Sequence, residues 1–187
     1  MRGNSLDKEN DMTQAEPVLK LKFLSHGTLE AYDLDRTRRF YEEFLGLEVV
    51  RTSKVSLMIR LGNTNTIAVV KNERKQVMPI LNHNGLDVAA RDEVDKCYEI
   101  VMAEKDKWGI KKVTRPADQH GTRSFYLLDL DDNWWEILCN PEGGYSWMFE
   151  AGRDIEEWGA TSDGSHPNEY ARKRFSSRHP SAEAEGE

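Results

Sequence analysis

The sequence predicts an α+β fold in which two βαβββ modules form a cup-shaped mixed β-sheet. Three observations predict it. The order strand, helix and three further strands occurs twice. Each helical run stops at a glycine, Gly46 and then Gly109. A histidine precedes each helix at nearly the same offset, His26 nine residues before Asp35 and His83 eight before Arg91. Self-similarity of this kind marks a duplicated unit.

The first module spans residues 19–72. A strand from Leu19 to Ala31 leads to Asp33 and Asp35, either of which caps the amphipathic run RTRRFYEEFLGL, with Phe40, Phe44 and Leu45 on one face. The stretches LEVVRT, VSLMIRL and NTIAVVK follow, rich in branched residues and divided by Ser-Lys and Gly-Asn-Thr-Asn turns, and read as antiparallel strands.

The second module spans residues 79–141. HNGLDVAA gives the strand, and Val94, Cys97, Tyr98, Val101 and Met102 recur at helical spacing before Gly109. IKKVT, TRSFYLLDL and WWEILCN complete the set, the last two joined by an Asp-Asp-Asn turn. The two modules together make one domain, as the 187-residue length allows. Residues 1–18 and 159–187 are polar, lack apolar periodicity and read as disordered tails. Residues 142–158 form an aromatic extension, with Trp147, Met148, Phe149 and Trp158, placed to cover the core or to act as a lid.

A net charge of -7 is the wrong sign for phosphate neutralisation, so nucleic acid is excluded as a partner. No apolar run is long enough for a membrane span or a secretory signal, which predicts a cytoplasmic protein. Cys97 and Cys139 lack metal-site or disulfide spacing and read as reduced thiols.

Alternation along the strands puts Leu29 and Ala31 opposite His26, and Leu86 and Val88 opposite His83, so both imidazoles face away from the helices. Sheets curving around a shared space would bring the two histidines together, a natural place for a metal. Glu136 follows Trp134 and Trp135, where an unpaired carboxylate would be costly and a cation would offset the cost. His166 and His179 lie in the polar tail and read as solvated.

SHGTLEAYDLDRTRRFYEEFLGLEVV, HNGLDV and FYLLDLDDNWWEI resemble the glyoxalase, bleomycin-resistance and extradiol-dioxygenase superfamily, the vicinal oxygen chelate proteins. The resemblance implies paired βαβββ modules, a divalent metal held by His26, His83 and Glu136, and chains that pair as homodimers. The last strand of the first module, Thr66 to Val70, offers no strong fourth ligand. Two histidines and one carboxylate leave open positions, the set suited to non-haem Fe(II) and dioxygen. Mn, Zn, Ni or Co remain alternatives for the metal. The resemblance is closest to a small extradiol-type dioxygenase, whose signature has a Tyr ten residues before the ligand Glu, where this chain has Tyr126. It implies that His120 moves a proton and that Tyr126 hydrogen-bonds a metal-bound oxygen.

The leading expectation is therefore an Fe(II) dioxygenase acting on a small diol or catechol-like substrate with O2. Two alternatives stand beside it: a metal-dependent isomerase, epimerase or lyase, and a metal-free binder of small molecules such as drugs.

Overall fold

The computed structural model describes residues 18–19, 23–62, 64–73, 77–119, 122–140 and 145. The two tails, apart from residue 18, the extension at 142–158, apart from Tyr145, and His120 lie outside the described residues.

The first module runs β1 (His26–Ala31), α1 (Leu34–Arg39), β2 (Glu48–Ser53), β3 (Ser56–Arg60) and β4 (Thr66–Lys71). Its sheet has the order β1-β4-β3-β2, with β1 parallel to β4 and the other pairs antiparallel. The strand expected from Leu19 begins only at His26. The reason is its partner: His26 pairs with Thr66, where β4 starts, so earlier residues have no strand opposite them. Phe23 and Leu24 are accordingly 77% and 91% exposed.

Asp33, not Asp35, caps α1: its carboxylate accepts from the backbone N–H of Asp35 and of Arg36, at 2.9 and 3.1 Å. The helix expected to run on to Gly46 changes at Phe40–Phe44 into a π-helical turn, in which Leu45 N–H donates to the Phe40 carbonyl. Phe40 and Tyr41 both become fully buried there. Gly46, at φ 72°, then ends the element.

The second module runs β5 (His83–Asp87), α2 (Arg91–Trp108), β6 (Lys112–Val113), β7 (Ala117–Gln119), β8 (Thr122–Leu128) and β9 (Trp134–Cys139). The sheet order is β5-β9-β8-β6, again with the first strand parallel to the last, and β7 pairs with the far end of β8. The short strand β7 was not expected, because Ala-Asp-Gln has no apolar alternation and owes its form to its neighbour. The two βαβββ modules thus give the expected α+β fold, one mixed sheet from each.

Their inward faces share one core. Leu57, Ile59 and Val69 of the first sheet and Phe125, Leu127, Trp135 and Ile137 of the second belong to one buried apolar cluster, with Val94 and Val101 from α2. Cys97 is partly buried and Cys139 buried, and both are free thiols, as expected. No helix of the described residues is long and apolar enough to cross a membrane.

The hairpin turn Asp129–Asn133 fastens the modules together. Asp131 accepts from Tyr32 N–H at 2.8 Å and from the Thr37 hydroxyl at 2.5 Å, and Asn133 Nδ2 donates to the Glu30 carbonyl at 2.9 Å. Asp129 accepts from two backbone N–H groups of its own turn and from Trp135 Nε1 at 2.9 Å, with the Tyr41 hydroxyl at 3.4 Å. Sequence reading saw only a turn here, because the partners lie about 90 to 100 residues away in the chain.

Candidate metal centre

Strand register explains how the candidate side chains meet. On the face of the second sheet turned away from the core, Gly85 of β5, Glu136 of β9 and Tyr126 of β8 form one cross-strand row. His83 lies two residues before Gly85 on the same face. A Cβ at Gly85 would meet Leu138 Cδ2 at 3.2 Å, and the imidazole of His83 reaches along the sheet to the carboxylate. His83 Nε2 stands 3.3 Å from Glu136 Oε2, and its ring meets the Tyr126 ring edge-on with centroids 5.0 Å apart. Three of the expected site residues, His83, Glu136 and Tyr126, are therefore together.

The imidazole has a defined tautomer. Its Nδ1 is 2.7 Å from the Ile80 carbonyl, which only accepts, so Nδ1 carries a proton and donates it. In the neutral ring Nε2 then presents a lone pair to the carboxylate. Two acceptors face to face repel unless a proton or a cation lies between them. A charge-assisted N–H···O bond would be about 2.7–2.9 Å long. Two ligand atoms each about 2.1 Å from one ion stand about 3.0 to 3.4 Å apart. At 3.3 Å the two acceptor atoms could both hold one divalent ion. The backbone bond on Nδ1 is the second contact that orients a ligating histidine.

Glu136 is 9% exposed at its side chain, deep enough that an unpaired charge would be costly. Its charge reaches Tyr145: burial first, then Glu136, push the Tyr145 phenol up, against hydrogen bonds with Thr122 and Asn140. Tyr145, Gly85 and Ile80 are the site residues that sequence reading missed. Gly85 alone left a signal, two residues past a candidate ligand.

His26 is elsewhere. It lies exposed on β1, its Nδ1 3.1 Å from Ser25 Oγ, and among the described residues no three His, Cys, Asp or Glu side chains gather as a metal site. Among the described residues of one chain, His26 does not gather with His83 and Glu136 into a group that could hold a metal. The repeat itself is asymmetric. The row Thr28, Ala68, Met58 and Val50 in the first sheet corresponds to Gly85, Glu136 and Tyr126 in the second, so Ala68 stands where Glu136 stands. That row of the first module holds no carboxylate.

Residues 24–137 match the family model described as the glyoxalase/bleomycin resistance protein/dioxygenase superfamily. The chain belongs to this superfamily. Among solved structures it is similar to the fosfomycin resistance protein FosX of Listeria monocytogenes, with 26% identity and a TM-score of 0.51 over 63% of this chain and 90% of that one. It is also similar to a possible glyoxalase from Bacillus cereus, at 22% identity and TM-score 0.53, over 64% of this chain and 100% of that one. FosX from Mesorhizobium loti matches at 24% and 0.50, over 65% of this chain and 95% of that one. These carry the names of fosfomycin-resistance and possible glyoxalase proteins, and none of the three is named as a dioxygenase. No curated protein matches the sequence closely enough to count as a relative.

Proposed function

We propose that the chain is a divalent-metal-dependent enzyme acting on a small molecule through neighbouring oxygen atoms, working as a homodimer in which His83 and Glu136 of one copy and His26 of the other hold the ion. The observation that carries this reading is the 3.3 Å approach of two acceptor atoms, His83 Nε2 and Glu136 Oε2, with Nδ1 anchored on Ile80. A bound divalent ion would supply Lewis acidity and, if it is Fe(II), a place for dioxygen beside the substrate.

The chain's own residues do the rest. Glu136 and two neutral imidazoles leave one net positive charge to attract an anionic or enolisable substrate. Ile80 fixes the tautomer of the neutral His83 ring, leaving Nε2 as its lone-pair nitrogen. Tyr126, edge-on to His83, is placed to donate its phenolic hydrogen to a substrate oxygen at the centre. His120 keeps its proposed role as proton carrier, on sequence grounds alone.

Two chemistries fit this frame. The set of two histidines and one carboxylate, with Tyr126 ten residues ahead of Glu136, favours Fe(II) and O2 on a catechol-like diol. The 26% identity to FosX, a fosfomycin resistance protein, favours oxygen-independent chemistry on that antibiotic or a related molecule. Anaerobic purification, loading with Fe(II), Mn, Co, Ni or Zn in turn, and assay with catechols under O2 and with fosfomycin under nitrogen separate them. Iron-dependent oxygen uptake supports the first, and anaerobic loss of fosfomycin supports the second. Full ligand binding by metal-free protein, with no turnover in either assay, would instead show a binding protein.

A further inference from the structure

The helical layer carries a pocket that no proposed metal ligand lines. It lies where α1 and its π-helical turn meet the end of α2, and Arg36, Arg39, Phe40, Lys107, Trp108 and Leu130 enclose about 120 Å3. The floor is apolar. Phe40 and Leu130 are 1% and 7% exposed, and the half-buried Trp108 ring packs against Phe40 and Phe44. The rim is cationic. Arg39 Cζ and Lys107 Nζ lie 5.6 and 5.2 Å from the centre of the Trp108 ring, within cation–π range. Arg36 is the third cation, and Gly109 makes room for it. A Cβ built on Gly109 would stand 2.7 Å from Arg36 Nη2, so a side chain there would displace the guanidinium.

The end of α2 does not by itself explain this gathering. A helix C-terminus carries about half a negative charge, and Lys105 and Lys107 in the last turn already answer it. Arg36 and Arg39 come from the other module. Among the described residues the Arg36 guanidinium makes no ion pair and donates no hydrogen bond to the freed carbonyls of α2. The other two cations have partners that stand outside the pocket: Glu43 pairs with Arg39 at 3.1 Å and Glu104 with Lys107 at 2.6 Å. Both pairs are on the surface, where water makes ion pairs weak and readily exchanged. Three cations therefore outweigh the helix end, and the pocket favours an anion.

Floor and volume narrow the choice. A bare inorganic anion would leave Phe40, Trp108 and Leu130 without an apolar partner. The space is well under the roughly 300 to 1,000 Å3 of a drug-sized ligand's site, so the occupant is small. We propose that this pocket binds a small aromatic carboxylate, its acid group at the Arg36–Arg39–Lys107 rim and its ring on the apolar floor. The ligand would touch α1 of the first module together with α2 and the hairpin turn of the second. The site does not depend on which metal chemistry the protein performs.

Para-fluorobenzoate, followed by fluorine NMR on the full-length protein with and without excess EDTA, tests the proposal. The expected result is saturable binding of one acid per chain in the metal-free protein. Neutral para-fluorobenzamide, of the same shape, is expected to bind at least about tenfold more weakly. Arg36→Gln and Lys107→Gln, both at exposed positions, are each expected to weaken the acid at least about fivefold, with near-ultraviolet circular dichroism unchanged. Wild-type affinity in both folded variants would overturn the proposal, as would equal binding of acid and amide or the absence of saturable binding. Binding seen only without EDTA would place the acid on a metal ion instead, and would also overturn it.

Discussion

Asp129 shows how one side chain ties stability to pH. It is fully buried between Tyr41 of the first module and Trp135 of the second, and burial outweighs its hydrogen bonds, raising its pKa to about 6. Neighbouring Asp131 adds a further upward push. A carboxyl whose folded pKa exceeds its unfolded value near 3.8 stabilises the fold most when protonated, and that contribution is lost as pH rises from about 4 through 6. Asp129→Asn cannot titrate. It is expected to be less stable than the wild type at pH 4.5, with a deficit that shrinks towards pH 7.5 by at most about 3 kcal/mol. Urea unfolding of both proteins at the two pH values measures this, and a deficit that grows with pH would refute it. At the proposed metal centre, His83→Ala and Glu136→Gln are each expected to lower bound metal at least tenfold at fixed free metal, read by mass spectrometry. Unaltered metal content in both variants would remove the centre. His83, Glu136 and Tyr126 were legible in the sequence because alternation and the repeat register place side chains on a face before any contact is known. The Ile80 carbonyl was not, since backbone acceptors carry no residue signature.

At the scale of elements, α1 depends on a cap that its sequence left ambiguous between two aspartates. Asp33 takes the role because its backbone is extended, at φ -135° and ψ 109°, while its carboxylate reaches back to the N–H groups of Asp35 and Arg36. Those hydrogen bonds hold its pKa below the usual carboxylate value. A depressed folded pKa means stability that is present above the unfolded pKa and lost as pH falls through the folded one. Asp33→Ala is expected to cost about 1 kcal/mol at pH 7, while Asp33→Asn retains most of the stability and is less sensitive to acid. Asp35→Ala serves as the control, its carboxylate being on the surface in a pair with Arg51. If Asp35→Ala proved the more damaging in urea titrations, the cap assignment would be wrong. Both helices and the long strands were legible from periodicity and from Gly46 and Gly109. The start of β1 and the whole of β7 were not, because strand limits are set by the partner's length, which local sequence does not contain.

At the scale of the whole molecule, the duplicated unit poses a question of symmetry. One module holds the His83–Glu136 pair, and the other carries His26 on an exposed face whose cross-strand row is Thr28, Ala68, Met58 and Val50. Val50, on β2 at the opposite edge of the sheet from His26, is 60% exposed, so part of an apolar row faces outward on the same face. A two-fold dimer that lays this face over the second sheet of another copy would bury the row and complete the ligand set in the same step, twice per dimer. Sequence reading proposed three ligands and assumed that one chain assembles them. Repeat register reports equivalence between modules and carries no information on which copy a module faces. The dimer reading is decided by co-expressing His26→Ala with Glu136→Gln, neither of which is expected to hold metal alone. With random pairing about half of the dimers are mixed, and each mixed dimer rebuilds one of its two sites, so about a quarter of the wild-type metal content should return. If the three ligands came from one chain, every site in the mixture would lack a ligand and no metal would return.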